Sequence, residues 1–135
     1  MKTWIVIDGT YQVTTDWHAN KINRTRLRSR IELLRSKYEA EHVVACWDVP
    51  GPTFRHELFP DYKADREKND PQLVEALEDA QVMCETIGVP NISQKDYEAD
   101  DCIATIVSWA KELGNQTIIL SRDSDLNQLL SLIHI

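Results

Sequence analysis

The hydrophobic and polar positions of this 135-residue chain change period several times, and each change marks an element. Residues 4–7 (Trp-Ile-Val-Ile) are apolar throughout and end in Asp8-Gly9, the pattern of a buried strand with a turn at its C-terminal end. From about residue 20 to residue 39, Leu27, Ile31, Leu34 and Tyr38 recur at helical spacing, which predicts an amphipathic helix with its arginines outward. Residues 42–47 (His-Val-Val-Ala-Cys-Trp) predict a second buried strand, closed by Asp48 and then by Pro50-Gly51-Pro52. Asp70-Pro71 is a helix start, a capping side chain followed by proline at the first helical position. Leu73, Leu77, Ala80, Cys84 and Ile87 then trace one buried face as far as a stop at Gly88. A short strand is expected over residues 91–93. A helix follows over about residues 97–113, with Ala99, Ile103, Ile106, Ala110 and Leu113 inward and Gly114 as its cap. Residues 117–120 (Thr-Ile-Ile-Leu) predict a further strand, and a helix is expected from Asp125 onward.

Strands that are apolar on both faces and alternate with helices predict an α/β fold, with a mostly parallel central sheet flanked by helices. The length suits one domain with one core. Residues 129–135 are apolar and stop without a cap, so the chain is expected to be a fragment.

Composition narrows the class. At 42% hydrophobic and 27% charged, the chain has enough apolar surface to pack a core, which argues against disorder. No apolar run approaches the ~18–20 residues of a membrane span, and the N-terminus has no signal-peptide pattern. Cys46, Cys84 and Cys102 are odd in number and widely spaced. They read as buried free thiols of a reducing, cytoplasmic setting, not as a zinc site. His18, His42, His56 and His134 lack metal-ligand spacing, and no Ser/His/Asp or Cys/His nucleophile pattern is present.

The net charge of −7 is unusual for a nucleic-acid binder, but its distribution alters the picture. Seven of the 15 basic residues lie between Lys21 and Lys37, and a second basic group comprises Arg55, Lys63, Arg66 and Lys68. In a parallel sheet the ligand site lies beyond the C-terminal ends of the strands. Seven carboxylates fall there: Asp8 after the first strand, Asp48 after the second, Glu98, Asp100 and Asp101 opening the helix after the third, and Asp123 and Asp125 after the fourth. Without those seven, the 22 acidic residues fall to 15, the number of basic ones, so the whole excess belongs to one edge. Each cluster alone has a structural reading, since Asp ends strands in turns and acids suit a helix N-terminus. Four clusters on one edge reverse that judgement. Like charges so gathered repel unless cations neutralise them, and oxygen-only ligands favour Mg²⁺ or Mn²⁺. Two such ions about 4 Å apart suit in-line attack of water on a phosphodiester.

Three stretches then resemble a known family. Residues 53–66 (Thr-Phe-Arg-His-Glu-Leu-Phe-Pro-Asp-Tyr-Lys-Ala-Asp-Arg) are similar to the Phe-Arg…Tyr-Lys-x-x-Arg element of 5′ nucleases. Gly88-Val89-Pro90 followed by Tyr97-Glu98-Ala99-Asp100-Asp101 resembles their Gly-Ile-Pro…Gly-Glu-Ala-Asp-Asp, and residues 123–129 resemble their Asp-Lys-Asp-x-x-Gln-Leu. That family includes the 5′-nuclease domain of bacterial DNA polymerase I, phage 5′ exonucleases and flap endonucleases. The resemblance covers nearly the whole chain and implies a PIN-like, resolvase-like α/β fold. It also implies a metal-dependent 5′→3′ exonuclease and flap endonuclease that hydrolyses phosphodiester bonds in DNA or RNA-primed DNA.

By the same resemblance, Asp8, Asp48, Glu98, Asp100 and Asp101 hold a first Mg²⁺ or Mn²⁺, and Asp123 and Asp125 a second. Asp100, Lys63 and Arg66 would be catalytic, while Arg55, Tyr62, Lys63 and Arg66 would contact nucleic acid. Lysine and arginine suit phosphate oxygens, and the neighbouring Tyr62 suits stacking on a base. The partner implied is DNA with a 5′ flap, a nick or a single-stranded 5′ end, or an RNA primer; no membrane or small-molecule substrate is implied. Family members continue into a helix–three-turn–helix region and carry later metal-binding aspartates. Residues 1–135 are therefore expected to be the N-terminal catalytic part, truncated before that region, with an incomplete second site. Tyr97 and Arg122 stand where the family usually has glycine. The competing readings are a PIN-type ribonuclease, marked by preference for single-stranded RNA, and a fragment that binds metal and nucleic acid without turnover.

Overall fold

The computed structural model describes residues 2–19, 24–49 and 71–121, with only the backbone of Arg24 and Thr25. Four parallel strands form one sheet: β1 (Thr3–Asp8), β2 (His42–Cys46), β3 (Asn91–Ile92) and β4 (Gln116–Leu120), in the spatial order β3-β2-β1-β4. Four helices connect them: α1 (Gly9–His18), α2 (Arg24–Lys37), α3 (Pro71–Thr86) and α4 (Ala99–Glu112). β1 lies inside the sheet, paired with β2 from Trp4↔His42 to Asp8↔Cys46 and with β4 from Thr3↔Gln116 to Ile7↔Leu120. Its Ile5, Val6 and Ile7 are wholly buried, as an apolar run between two parallel neighbours must be.

Side chains alternate across the sheet and so build two cores. On one face Ile5, Ile7, Val43, Ala45, Ile118 and Leu120 pack with Val13 of α1, Leu27, Ile31 and Leu34 of α2, and Cys84 of α3. On the other, Val6 and Cys46 meet Ala99, Ile103 and Ile106 of α4. Leu27, Ile31 and Leu34 are each at most 5% exposed, so α2 is held by three side chains that contribute about 1.5–3 kcal/mol apiece. α3 and α4 end as expected, with Gly88 at φ 78° and Gly114 at φ 77°, left-handed conformations that glycine adopts without strain.

The structure corrects four expectations. Asp8-Gly9 does not open a turn but a ten-residue helix, α1. Two arginines of α2 are half-buried and partnered instead of pointing freely outward: Arg30 reaches Gln12 and Asp16, and Arg35 donates to the Ile87 carbonyl at 3.1 Å, beyond the end of α3. Leu113 is 66% exposed because α4 ends at Glu112 and Leu113 follows as its cap. Cys102 is only half-buried, whereas the free thiols of Cys46 and Cys84 are buried. Among the described residues, no helix is long and apolar enough to cross a membrane.

Candidate functional site

Parallel pairing puts the ends of β1, β2 and β4 on one edge, and helix starts close over it. Asp8 ends β1 and caps α1, its Oδ1 accepting the Tyr11 backbone N–H at 3.0 Å. Asp48 follows β2. Its backbone N–H donates to Thr10 Oγ1 at 2.8 Å, and its Oδ1 accepts the Ala99 N–H at 2.7 Å, so it caps α4 from a neighbouring strand. The N-terminus of α4 thereby brings Asp100 close enough to Asp8 for its carboxyl group to act on the Asp8 charge.

Asp8 is 7% exposed. Burial pushes its pKa from 3.8 up to about 7; the Tyr11 N–H opposes that rise, and the charges of Asp100 and Asp48 add to it. Among the described residues, no lysine or arginine pairs with Asp8, Asp48 or Asp100. The buried Asp8 carboxyl group, with Asp100 and Asp48 near enough to act on its charge and no basic partner among the described residues, offers oxygen donors of the kind a hard divalent cation takes. Glu98, buried, is the N-cap residue of α4, and its backbone N–H donates to Asp101 Oδ2 at 3.0 Å. The structure thus gathers Asp8, Asp48 and Asp100, and turns Asp101 back on its own helix start. Among the described residues, no three carboxylate, histidine or cysteine side chains make a complete ligand group. Asp123, Asp125, Arg55, Tyr62, Lys63 and Arg66, as well as the helix expected from Asp125, lie outside the described residues.

Packing holds this edge in place. A Cβ on Gly9 would lie 2.6 Å from the Trp47 ring, so only glycine admits the indole against the start of α1. Trp47 Nε1 donates to Asn91 Oδ1 at 2.8 Å, and Asn91 Nδ2 donates to the Gln81 carbonyl at 2.9 Å. Sequence reasoning missed Thr10 and Gln12 because it missed α1. Polar residues two and four positions after a strand-ending aspartate were the available signal.

The model of the 5'-3' exonuclease N-terminal resolvase-like domain matches residues 3–135. The chain belongs to the 5'-3' exonuclease family. Within that exonuclease family it is 37% identical, over 94 residues, to the 5'-3' exonuclease of Bacillus subtilis, covering 70% of this chain and 31% of that protein. The fold matches the phage T5 5'-exonuclease solved with bound divalent zinc ions (TM-score 0.74, 27% identity, 95% of this chain and 52% of that one). It also matches the bacteriophage T5 flap endonuclease solved as a pseudo-enzyme-product complex with DNA and metal ions (TM-score 0.68, 26% identity, 87% and 48%). The chain therefore spans about a third of the length of the bacterial exonuclease and about half that of the phage enzyme.

Proposed function

We propose that this chain is the catalytic part of a divalent-metal-dependent 5′→3′ exonuclease and flap endonuclease that hydrolyses phosphodiester bonds in DNA or RNA-primed DNA. One observation carries the reading: Asp8 is buried against Asp100, with Asp48 close by, at the strand ends of the sheet, and none of the three has a basic partner among the described residues. Family membership and the metal- and DNA-bound T5 structures support it.

Asp8 and Asp100 would hold Mg²⁺ or Mn²⁺, with Asp48 completing the acidic side of the site. A bound divalent ion supplies positive charge for the phosphate and lowers the pKa of water. The chain's own residues fix the geometry. Tyr11 N–H and Ala99 N–H each orient one carboxylate, leaving oxygens of both for a cation. Lys63, Arg66, Arg55 and Tyr62 are assigned to the nucleic acid by resemblance, and Asp123 and Asp125 to a second ion.

The test is cleavage of a 5′-labelled flap duplex with Mg²⁺, with Mn²⁺ and with a chelator, beside Asp100→Asn. Metal-dependent release of 5′ products that the substitution abolishes supports the proposal. Undiminished cutting in chelator would sink it, and faster cutting of single-stranded RNA than of the flap would turn it into a ribonuclease. Mn²⁺ and DNA binding with no product would leave a binding fragment.

A further inference from the structure

The arginines of α2 differ in how their charge is met. Arg28 Nε donates to Glu32 Oε1 at 3.3 Å, one cation to one anion, and Arg35 ends on the Ile87 carbonyl. Arg26 and Arg30 instead share a single carboxylate. Arg26 Nε lies 3.9 Å from Asp16 Oδ1, and Arg30 Nη2 lies 3.7 Å from Asp16 Oδ2. Two guanidinium groups against one carboxylate leave a local positive charge in a chain whose total is −7. Both distances are those of charge contacts, longer than hydrogen bonds, so Asp16 leaves much of the donor capacity of the two forks unspent.

Two observations place this pair beside the acidic edge. Asp16 lies on α1, the helix that Asp8 caps, about 12 Å further along by the helical rise. Arg30 Nη1 donates to Gln12 Oε1, and Gln12 Nε2 donates to the Ser121 carbonyl at 2.9 Å, just past the end of β4. A buried amide thus holds the Arg30 guanidinium at the level of the strand ends. Arg26 is the more open of the two, its side chain 44% exposed against 24% for Arg30.

The acidic edge by itself repels a polyanion, so affinity for nucleic acid has to come from basic groups near it. Arginine forks match the oxygens of a phosphate. At about 3.4 Å of rise per nucleotide, 12 Å spans about three to four nucleotides of one strand. We propose that Arg26 and Arg30 form a phosphate clamp that grips the backbone of a nucleic-acid substrate about three to four nucleotides from the phosphate at the Asp8 edge. Asp16 is the anion that sits in the clamp when no substrate does. The proposal rests on the nuclease reading above for the place of the reacting phosphate, and adds a binding site to it.

Fluorescence anisotropy of a labelled 5′-flap duplex, in chelator to hold off cleavage, tests the clamp. Arg26→Gln should bind about tenfold more weakly at about 50 mM salt, and the slope of log affinity against log salt should shrink by about 0.9, the share of one phosphate contact. Arg26→Lys should keep the slope and recover only part of the affinity, because an ammonium lacks the fork. Asp16→Asn should tighten binding several-fold, since the competing anion is gone. A contact that only fastens α2 to α1 makes the opposite prediction: Asp16→Asn would lower the thermal midpoint and leave flap affinity where it was. Parental affinity and slope in Arg26→Gln overturn the proposal, as does a folded Asp16→Asn that binds no tighter than the parent. Should Asp16→Asn not fold, Arg26→Gln, at an exposed position, decides alone. A parent chain that binds polyglutamate in place of the flap would make the pair a protein-docking site and overturn the clamp, as would a parent that binds no flap at all. A parent that binds the flap in chelator but never cuts it with Mg²⁺ sinks the nuclease reading and leaves the clamp standing.

Discussion

The two edges of the sheet carry acids in opposite circumstances. At the N-terminal edge, Glu41 is paired: Lys2 Nζ lies 2.5 Å from one oxygen and His42 Nε2 3.3 Å from the other. The hydrogen bond and charge of Lys2 hold the Glu41 carboxyl below its ordinary range. At the C-terminal edge, Asp8 meets Asp100 and Asp48, and its pKa rises to about 7. Both edges are built from the same strands, so the fold does not dictate the difference. One edge is balanced in charge and open to water. The other buries Asp8 beside the charges of the exposed Asp100 and the half-buried Asp48, a state with a stability cost that a cation or a proton relieves.

The largest effect should come from Asp8→Asn. It should slow metal-dependent cleavage by about 100-fold to 1,000-fold, as the loss of one preorganised charged group does. In metal-free buffer at pH 8 the same change should raise the thermal midpoint by at least about 4 °C, since asparagine still accepts the Tyr11 N–H and carries no charge to bury. A lower midpoint would show that the two edges do not differ as described.

The next effect is on pH dependence. The pKa of Asp8 is raised in the fold from 3.8 to about 7. The stability linked to its proton is therefore complete below about pH 4 and is lost as the pH rises through about 7. Metal-free melting should fall across that window, and Mn²⁺ should raise the midpoint more at pH 8 than at pH 5.5, because cation and proton compete. Equal gains at both values would remove Asp8 from the cation site.

Gly9→Ala sharpens the comparison through packing instead of charge. Its Cβ would meet an indole pinned by Asn91, so urea denaturation should show a loss of about 1–3 kcal/mol. The smallest effect belongs to the balanced edge. Lys2→Ala should leave both the melting midpoint and the Mn²⁺ response where they are, because an exposed pair is screened by solvent; a clear shift in either would contradict that.

The strands and the three later helices were legible because their apolar positions repeat cleanly. α1 was not: Thr10, Val13, Thr14 and Thr15 are β-branched and disfavour a helix. What forms it is the Asp8 cap and the burial of Val13 and Gln12, which are tertiary contacts. The reading of the arginines failed at Arg30 and Arg35 because long side chains reach past their own helix face. The meeting of Asp8, Asp48 and Asp100 followed from strand polarity alone. The pairing of the Glu98 N–H with Asp101 depends on side-chain direction within one helical turn, which a charge count does not carry.

The indole of Trp47 is 2% exposed, lies against Gly9 at the start of the Asp8 helix, and belongs to the strand end that leads into Asp48. Trp109, by contrast, is 56% exposed, and Trp4 and Trp17 lie outside the fully buried set. The molecule therefore carries a built-in fluorophore at the junction of its two strand-end aspartates. With the other three tryptophans replaced by phenylalanine, emission from that ring would report on the acidic edge in real time, without a label and without a substrate.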